Sequence, residues 1–196
     1  MRLLRLASVV PWRWGSAEGL TASGVQPGRT GTHGRVAARA VTTQAGPEAL
    51  FLWLCQLRRA PYSYDWIDNF GRRSPCVPDP SLTDLEVGQE IMTIFTLTEF
   101  EPSRSLTVSM RPGWPTRLFG AISLRYAIIP TSDGEVLLRG DLWMPPIGKV
   151  LGRLRRYLLA WGDLLMMRKQ LRTLSTLAET TSTPPRAYVS RLEGGK

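Results

Sequence analysis

Two hydrophobic periods follow one another along the chain, and their order predicts its elements. Residues 35–43 read as a first strand that stops at the Gly46-Pro47 breaker. Pro47 suits the first turn of a helix, where its missing N–H costs nothing, and Glu48 complements the helix dipole there. Leu50, Trp53, Leu54 and Leu57 then recur at helical spacing until Pro61. Residues 60–88 keep no period, apart from a short helical turn expected over 65–70. Beyond them the period becomes two. Residues 89–100, 104–111, 117–129 and 135–144 each read as a strand, and Asp133-Gly134 is the strongest hairpin signal among the short links. Links this short require antiparallel pairing, because a parallel pair needs a long crossover. Residues 148–178 close the pattern as one long helix with two apolar lines. Leu151, Leu154, Leu158, Trp161 and Leu165 make one; Ala160, Leu164, Met167, Leu171, Leu174 and Ala178 make the other. Both are expected to form a single broad stripe laid across the sheet.

Strand alternation also sorts side chains by face. Leu106, Val108, Met110, Ile122, Leu124, Tyr126, Ile128, Val136, Leu138, Leu142 and Met144 fall on one face, where Tyr126 brings the only polar head. Arg125, Arg139 and Asp141 fall on the other and are expected in solvent, as charged side chains commonly are. On the long helix, Asp163, Arg168, Lys169 and Gln170 read as a solvated face or local pairs. An interior so poor in ionisable groups suits holding an apolar molecule better than cleaving one, since acid–base and nucleophilic chemistry need converging polar groups.

Composition changes this picture in a few places. A length of 196 residues fits one domain, expected over 35–180, between a flexible basic tail (1–34) and a polar tail (181–196). The net charge is +9, but +5 of it lies within the first 47 residues, so no basic nucleic-acid face is expected. His33 is the lone histidine, and Cys55 and Cys76 form no CxxC pair. Neither a metal site nor a redox dithiol is expected, no catalytic residue is identified, and no phosphate-cradling glycine motif implies a cofactor. Unpaired cysteines suit a reducing, cytoplasmic setting. The longest charge-free apolar stretch, 49–57, is far short of the ~20 residues of a membrane span. Arg5 and Pro11 break the apolar start that a signal peptide would need.

Two segments carry candidate chemistry. Tyr62, Tyr64, Trp66 and Phe70 interleave with Asp65, Asp68 and Asn69. These either rim a pocket, rings against a guest and polar heads orienting it, or anchor a loop while the aspartates cap a helix. The long helix also carries Lys149, Arg153, Arg155, Arg156, Arg168, Lys169 and Arg172. Contact with a membrane surface is one use for such a helix. Covering the sheet with its apolar stripe and matching its C-terminal dipole with positive charge are competing uses.

The element order, with the stretches Phe51-Leu52-Trp53-Leu54-Cys55-Gln56-Leu57-Arg58, Ala60-Pro61-Tyr62-Ser63-Tyr64-Asp65-Trp66-Ile67-Asp68-Asn69-Phe70-Gly71 and Trp161-Gly162-Asp163-Leu164-Leu165, resembles the START-like (SRPBCC) superfamily of polyketide cyclase/dehydrase and lipid-transport proteins, in an actinobacterial-type branch. The resemblance covers about residues 35–180 and implies an α+β helix-grip fold, a curved antiparallel sheet wrapped around a long C-terminal helix with an apolar cavity between them. It implies a small hydrophobic ligand, lipid- or polyketide-like, as partner. Leu124, Tyr126, Leu142, Trp161, Leu165 and Met166 are then the expected lining, with Tyr62, Tyr64, Trp66 and Asp68 at the rim. The alternative is a polyketide cyclase/aromatase-like enzyme in which Tyr126, Tyr64 and Asp68 share proton transfer, although no family catalytic motif can be placed here. Fold alone does not choose between the two.

Overall fold

The computed structural model describes residues 10–17, 34–64, 71–146 and 152–182. Its strands are β1 (Arg13–Gly15), β2 (Arg35–Thr43), β3 (Glu90–Ile91), β4 (Phe95–Glu101), β5 (Ser105–Met110), β6 (Ser123–Pro130) and β7 (Val136–Met144). The α-helices are α1 (Pro47–Cys55), α2 (Trp114–Phe119) and α3 (Gly152–Ser182). The strands form one open sheet in the order β1-β2-β7-β6-β5-β4-β3. β1 runs parallel to β2, and every other pair is antiparallel. With α3 gripped along the sheet's inner face, this is the expected α+β helix-grip fold.

The period-two reading locates β2, β5 and β7 to within a residue or two, and the Pro47 start of α1 is as expected. Two expected strands differ. Residues 89–100 are split because Met92 and Thr93 take left-handed φ (49° and 65°), turning β3 back on β4 so that Ile91 pairs with Phe95. Residues 117–119 belong to a helix, not to the start of β6. Pro115 lies in the first turn of α2 and Gly120 closes it with φ 87°, the usual proline-in, glycine-out asymmetry. The turn expected over 65–70 lies outside the described residues, as does the start expected for the long helix.

β1 lies within residues expected as a tail. Trp12 is buried under the Arg35 guanidinium, which stands 3.7 Å from its ring centre, a cation–π contact. Gly15 has φ 70°, and a Cβ there would run into the Ala40 carbonyl oxygen, so this strand end can approach β2 only as glycine.

The core lies between the inner face of the sheet and the two helices α1 and α3. Leu106, Val108, Leu124, Tyr126, Ile128, Leu138 and Leu142 supply the sheet side. The α3 line of Ala160, Leu164, Met167, Leu171, Leu174 and Ala178 covers them. α1 adds Leu50, Trp53 and Leu54, and the buried Trp53 ring donates from Nε1 to the Thr181 hydroxyl (3.0 Å), tying the two helices. Gly140 lets α3 come close, since a Cβ there would overlap the Met167 methyl.

The outer face corrects the expectation for Arg139 and Asp141. Both are buried, with Arg139 Nε 2.8–2.9 Å from the Asp141 carboxylate. Alternation places them rightly on the outer face, but in the middle of the sheet that face is covered too: Leu137, Ala38, Ala40 and Ala17 form a second small cluster there. Burial holds the Asp141 carboxyl above its usual range, against the pull of Arg139 and of Arg125, its register partner on β6. No described helix is long and apolar enough to cross a membrane.

Candidate ligand pocket

The central strands and α3 do not touch everywhere. Between them, closed off by the Pro61–Ser63 segment, the β3–β4 turn and α2, lies a hollow of about 420 Å³. The sheet contributes Leu124, Tyr126 and Leu142, and α3 contributes Asp163, Met166, Met167 and Gln170. Met92, Ile94, Phe95, Trp114 and Phe119 bring apolar side chains from the turn and α2. The volume lies within the range usual for small-molecule sites, and the walls have the usual character, mostly apolar with a few placed polar groups.

Those polar groups have definite partners. Tyr126 is fully buried, and its hydroxyl donates to Gln170 Oε1 at 2.5 Å. Gln170 Nε2 donates to the Pro61 carbonyl at 2.5 Å, which fixes the loop on the helix. Burial, and then the charge of Asp163, push the Tyr126 phenol far above its ordinary range despite Gln170. It stays protonated at any physiological pH.

Sequence reasoning misplaced Gln170, which is buried, and above all Asp163. Rather than facing solvent, it is held by Arg39 of β2, whose Nη2 donates to Asp163 Oδ2 at 3.1 Å. Arg39 is fully buried and also donates to the carbonyls of Ala38 (3.0 Å) and Ala160 (3.3 Å). Only 14% of the Asp163 side chain is exposed, and it stands on the pocket wall. Burial raises its carboxyl to about 6, and Arg39 pulls the other way. Burial likewise lowers the Arg39 guanidinium, with Asp163 opposing. The expectation of an interior almost without ionisable groups is therefore overturned. A signal was present in part: Arg39 shares its strand face with Ala37 and Val41, and Asp163 precedes Gln170 by two helical turns.

Of the expected lining residues, Leu124, Tyr126, Leu142 and Met166 stand on the pocket wall. Trp161 and Leu165 do not; they point outward and are 39% and 54% exposed. The buried line of α3 already covers the sheet, so the second line is left outside. Tyr62 is not at a rim but in the core, its ring edge-on to Trp53 with centroids 5.8 Å apart. Tyr64 is half-buried and off the wall, and Trp66 and Asp68 lie outside the described residues.

A larger depression of about 820 Å³ runs along the outer face past the β4–β5 turn and β6. Two of its three arginines pair with its acids, Arg104 with Glu101 (3.0 Å) and Arg139 with Asp141, while the buried Arg125 Nε has no hydrogen-bond partner among the described residues. Among the described residues, no three His, Cys, Asp or Glu side chains group to hold a metal.

Comparison with protein-family models finds no match, and comparison with curated proteins finds none either. Solved structures similar to this chain include a protein from Mesorhizobium loti (16% identity, 76% of this chain and all of that one, TM-score 0.47). Others are an aromatase/cyclase from a Streptomyces species (17% identity, 75% and 94%, TM-score 0.45) and a norcoclaurine synthase from Thalictrum flavum solved with a transition-state analogue (11% identity, 79% and 100%, TM-score 0.45). In architecture the chain has the helix-grip arrangement, by its own element order and its open sheet around a long helix.

Proposed function

We propose that this protein binds a small hydrophobic molecule, lipid- or polyketide-like, in the pocket between the sheet and α3, and acts as its carrier or sensor. One observation carries the reading: an apolar hollow of about 420 Å³ whose one carboxylate among the described residues, Asp163, faces the space from a fixed position. A guest with an apolar body and a hydroxyl or amine donor would bury the body against Leu124, Leu142 and Met166. Its donor would pair with Asp163, leaving that buried acceptor satisfied. Cys55 and Cys76 are unpaired, which suits a reducing, cytoplasmic setting.

The test is binding of an uncharged solvatochromic dye, Nile red, to the full chain, with native mass spectrometry of gently purified protein for co-purifying molecules. Leu142→Trp fills the pocket and should abolish dye binding while the chain stays folded. Dye bound equally well by this variant, or not bound by the parent protein, would sink the reading.

A second reading is favoured by Asp163 itself. A carboxyl near 6 on the wall that also presents Tyr126 suits general acid–base work on a polyketide-like guest. Of the Tyr126, Tyr64 and Asp68 trio expected from sequence, Tyr126 is kept beside Asp163, Tyr64 is off the wall and Asp68 lies outside the described residues. Asp163→Asn separates the readings: a carrier keeps its guest unaltered, whereas a cyclase accumulates unconverted substrate.

A further inference from the structure

We propose that the outward face of α3, together with the neighbouring turn of α2, docks on an anionic lipid bilayer. Leu154, Leu158, Trp161 and Leu165 follow one another at spacings of four, three and four along this face, with Tyr157 beside them. All five are exposed, Leu154 and Leu158 by 55% and 61%. Of the ten exposed large apolar side chains among the described residues, these five and Trp114 and Leu118 of α2 make seven. The Arg155 guanidinium donates to the Leu118 carbonyl and so ties α2 to the first turns of α3. An apolar surface gathered on one face in this way marks an interaction site, whereas single exposed side chains do not.

The fold does not need this line. The inward line from Ala160 to Ala178 covers the sheet by itself, which removes the use that competed for the stripe. Charge then selects the occupant. Arg153 and Arg155 flank the apolar line at its start, and the outward side continues as Arg168, Lys169 and Arg172 where the leucines end. Arg168 and Arg172 also lie over the Trp14 ring, yet both remain exposed. The acids of α3 point elsewhere: Asp163 to Arg39 and the pocket, Glu179 to the Thr43 hydroxyl. A second copy of this chain would set five cations against their own image. An anionic bilayer offers the opposite charge, and Trp and Tyr sit well at its interface. Docked in this way, α2 lies at the membrane with Trp114, 64% exposed and also part of the pocket wall.

The experiment is flotation of the full chain with phosphatidylcholine vesicles, with and without phosphatidylglycerol, at low and high salt. Binding should require phosphatidylglycerol and weaken as salt rises. The Leu154→Ser/Leu158→Ser double variant, altered only at exposed side chains, should lose binding by about tenfold or more while still binding Nile red. Lys169→Glu should weaken it less. Failure of the parent protein to float, or equal binding to neutral vesicles, overturns the proposal. So does binding that survives the double serine change, because the arginine-rich start would then be responsible. A dimer in light scattering that the same change dissociates would assign the face to a second copy instead. Nile red binding reports on the pocket separately, so docking and pocket occupancy can fail independently.

Discussion

Two buried arginine–aspartate pairs lie on opposite faces of one sheet, and they serve different ends. On the outer face Arg139 and Asp141 are two residues apart on β7, a local pair formed by strand geometry alone, with Arg125 facing Asp141 from β6. On the inner face Arg39 reaches from β2 to Asp163 on α3, so the pair is also a clamp between sheet and helix. Both carboxyls are pushed up by burial. Asp163 stands on the hollow between the sheet and α3, Asp141 on the depression along the outer face. A buried ion pair is weak evidence for stability, because desolvation can outweigh attraction. What distinguishes the inner pair is that it joins distant elements and leaves a carboxylate where a guest can meet it.

Breaking each pair sharpens the contrast. Arg39→Met removes the charge partner of Asp163 and the donors to the Ala38 and Ala160 carbonyls; a cost of about 3–5 kcal/mol is expected. Arg139→Met should cost less, about 1–3 kcal/mol, because Arg125 still faces Asp141. Denaturant midpoints of the two variants measure the difference. Equal losses would mean that the inner pair is no clamp.

The pH dependence isolates Asp163. Its folded carboxyl, raised from 3.8 to about 6, binds a proton more readily than in the unfolded chain. Its contribution to stability is thus full below about pH 4 and lost as pH rises through about 6. Linkage makes that loss about 3 kcal/mol, since each tenfold gain in proton affinity is worth about 1.4 kcal/mol. Asp141, raised as well, tilts the whole curve the same way, so the comparison is with Asp163→Asn. The variant's stability should vary less across that window, and an unchanged slope would show that Asp163 is not buried in the folded chain.

The contrast also shows what residue order can reveal. Alternation assigns Leu124, Tyr126 and Leu142 to the inner face and Arg139 and Asp141 to the outer one, all correctly. It does not reveal that the outer face is covered mid-sheet, because face and coverage are separate properties. The helical period likewise identifies both apolar lines of α3 but not which one packs. Side-chain size was the clue: the inward line includes Ala160 and Ala178 and lies over Gly140, whereas the outward line is all Leu and Trp. The Arg39–Asp163 pair was illegible for a different reason, since its members lie 124 positions apart on a strand and a helix. The Pro115 and Gly120 bounds of α2 were readable, and the apolar alternation running through them concealed the helix.

The smallest expected effect tests that size argument. Gly140 stands opposite Arg39 on β2 and Tyr126 on β6, beneath Met167 of α3. A methyl group at Gly140 would press on the Met167 methyl, and that contact is the end of a flexible side chain rather than backbone. Met167 can swing aside, so Gly140→Ala should cost only about 1–2 kcal/mol, the lower range for overpacking. The displaced methionine has the pocket beside it, and Nile red affinity should fall along with stability. Met167→Ala clears the obstruction, so in the double variant the alanine at 140 should cost less than it does alone; a double-mutant cycle reads this directly. Strict additivity would mean that the helix is not held against the strand at this point. The polar ties, Arg39 to Asp163 and Tyr126 to Gln170, would then be what holds α3 to the sheet there.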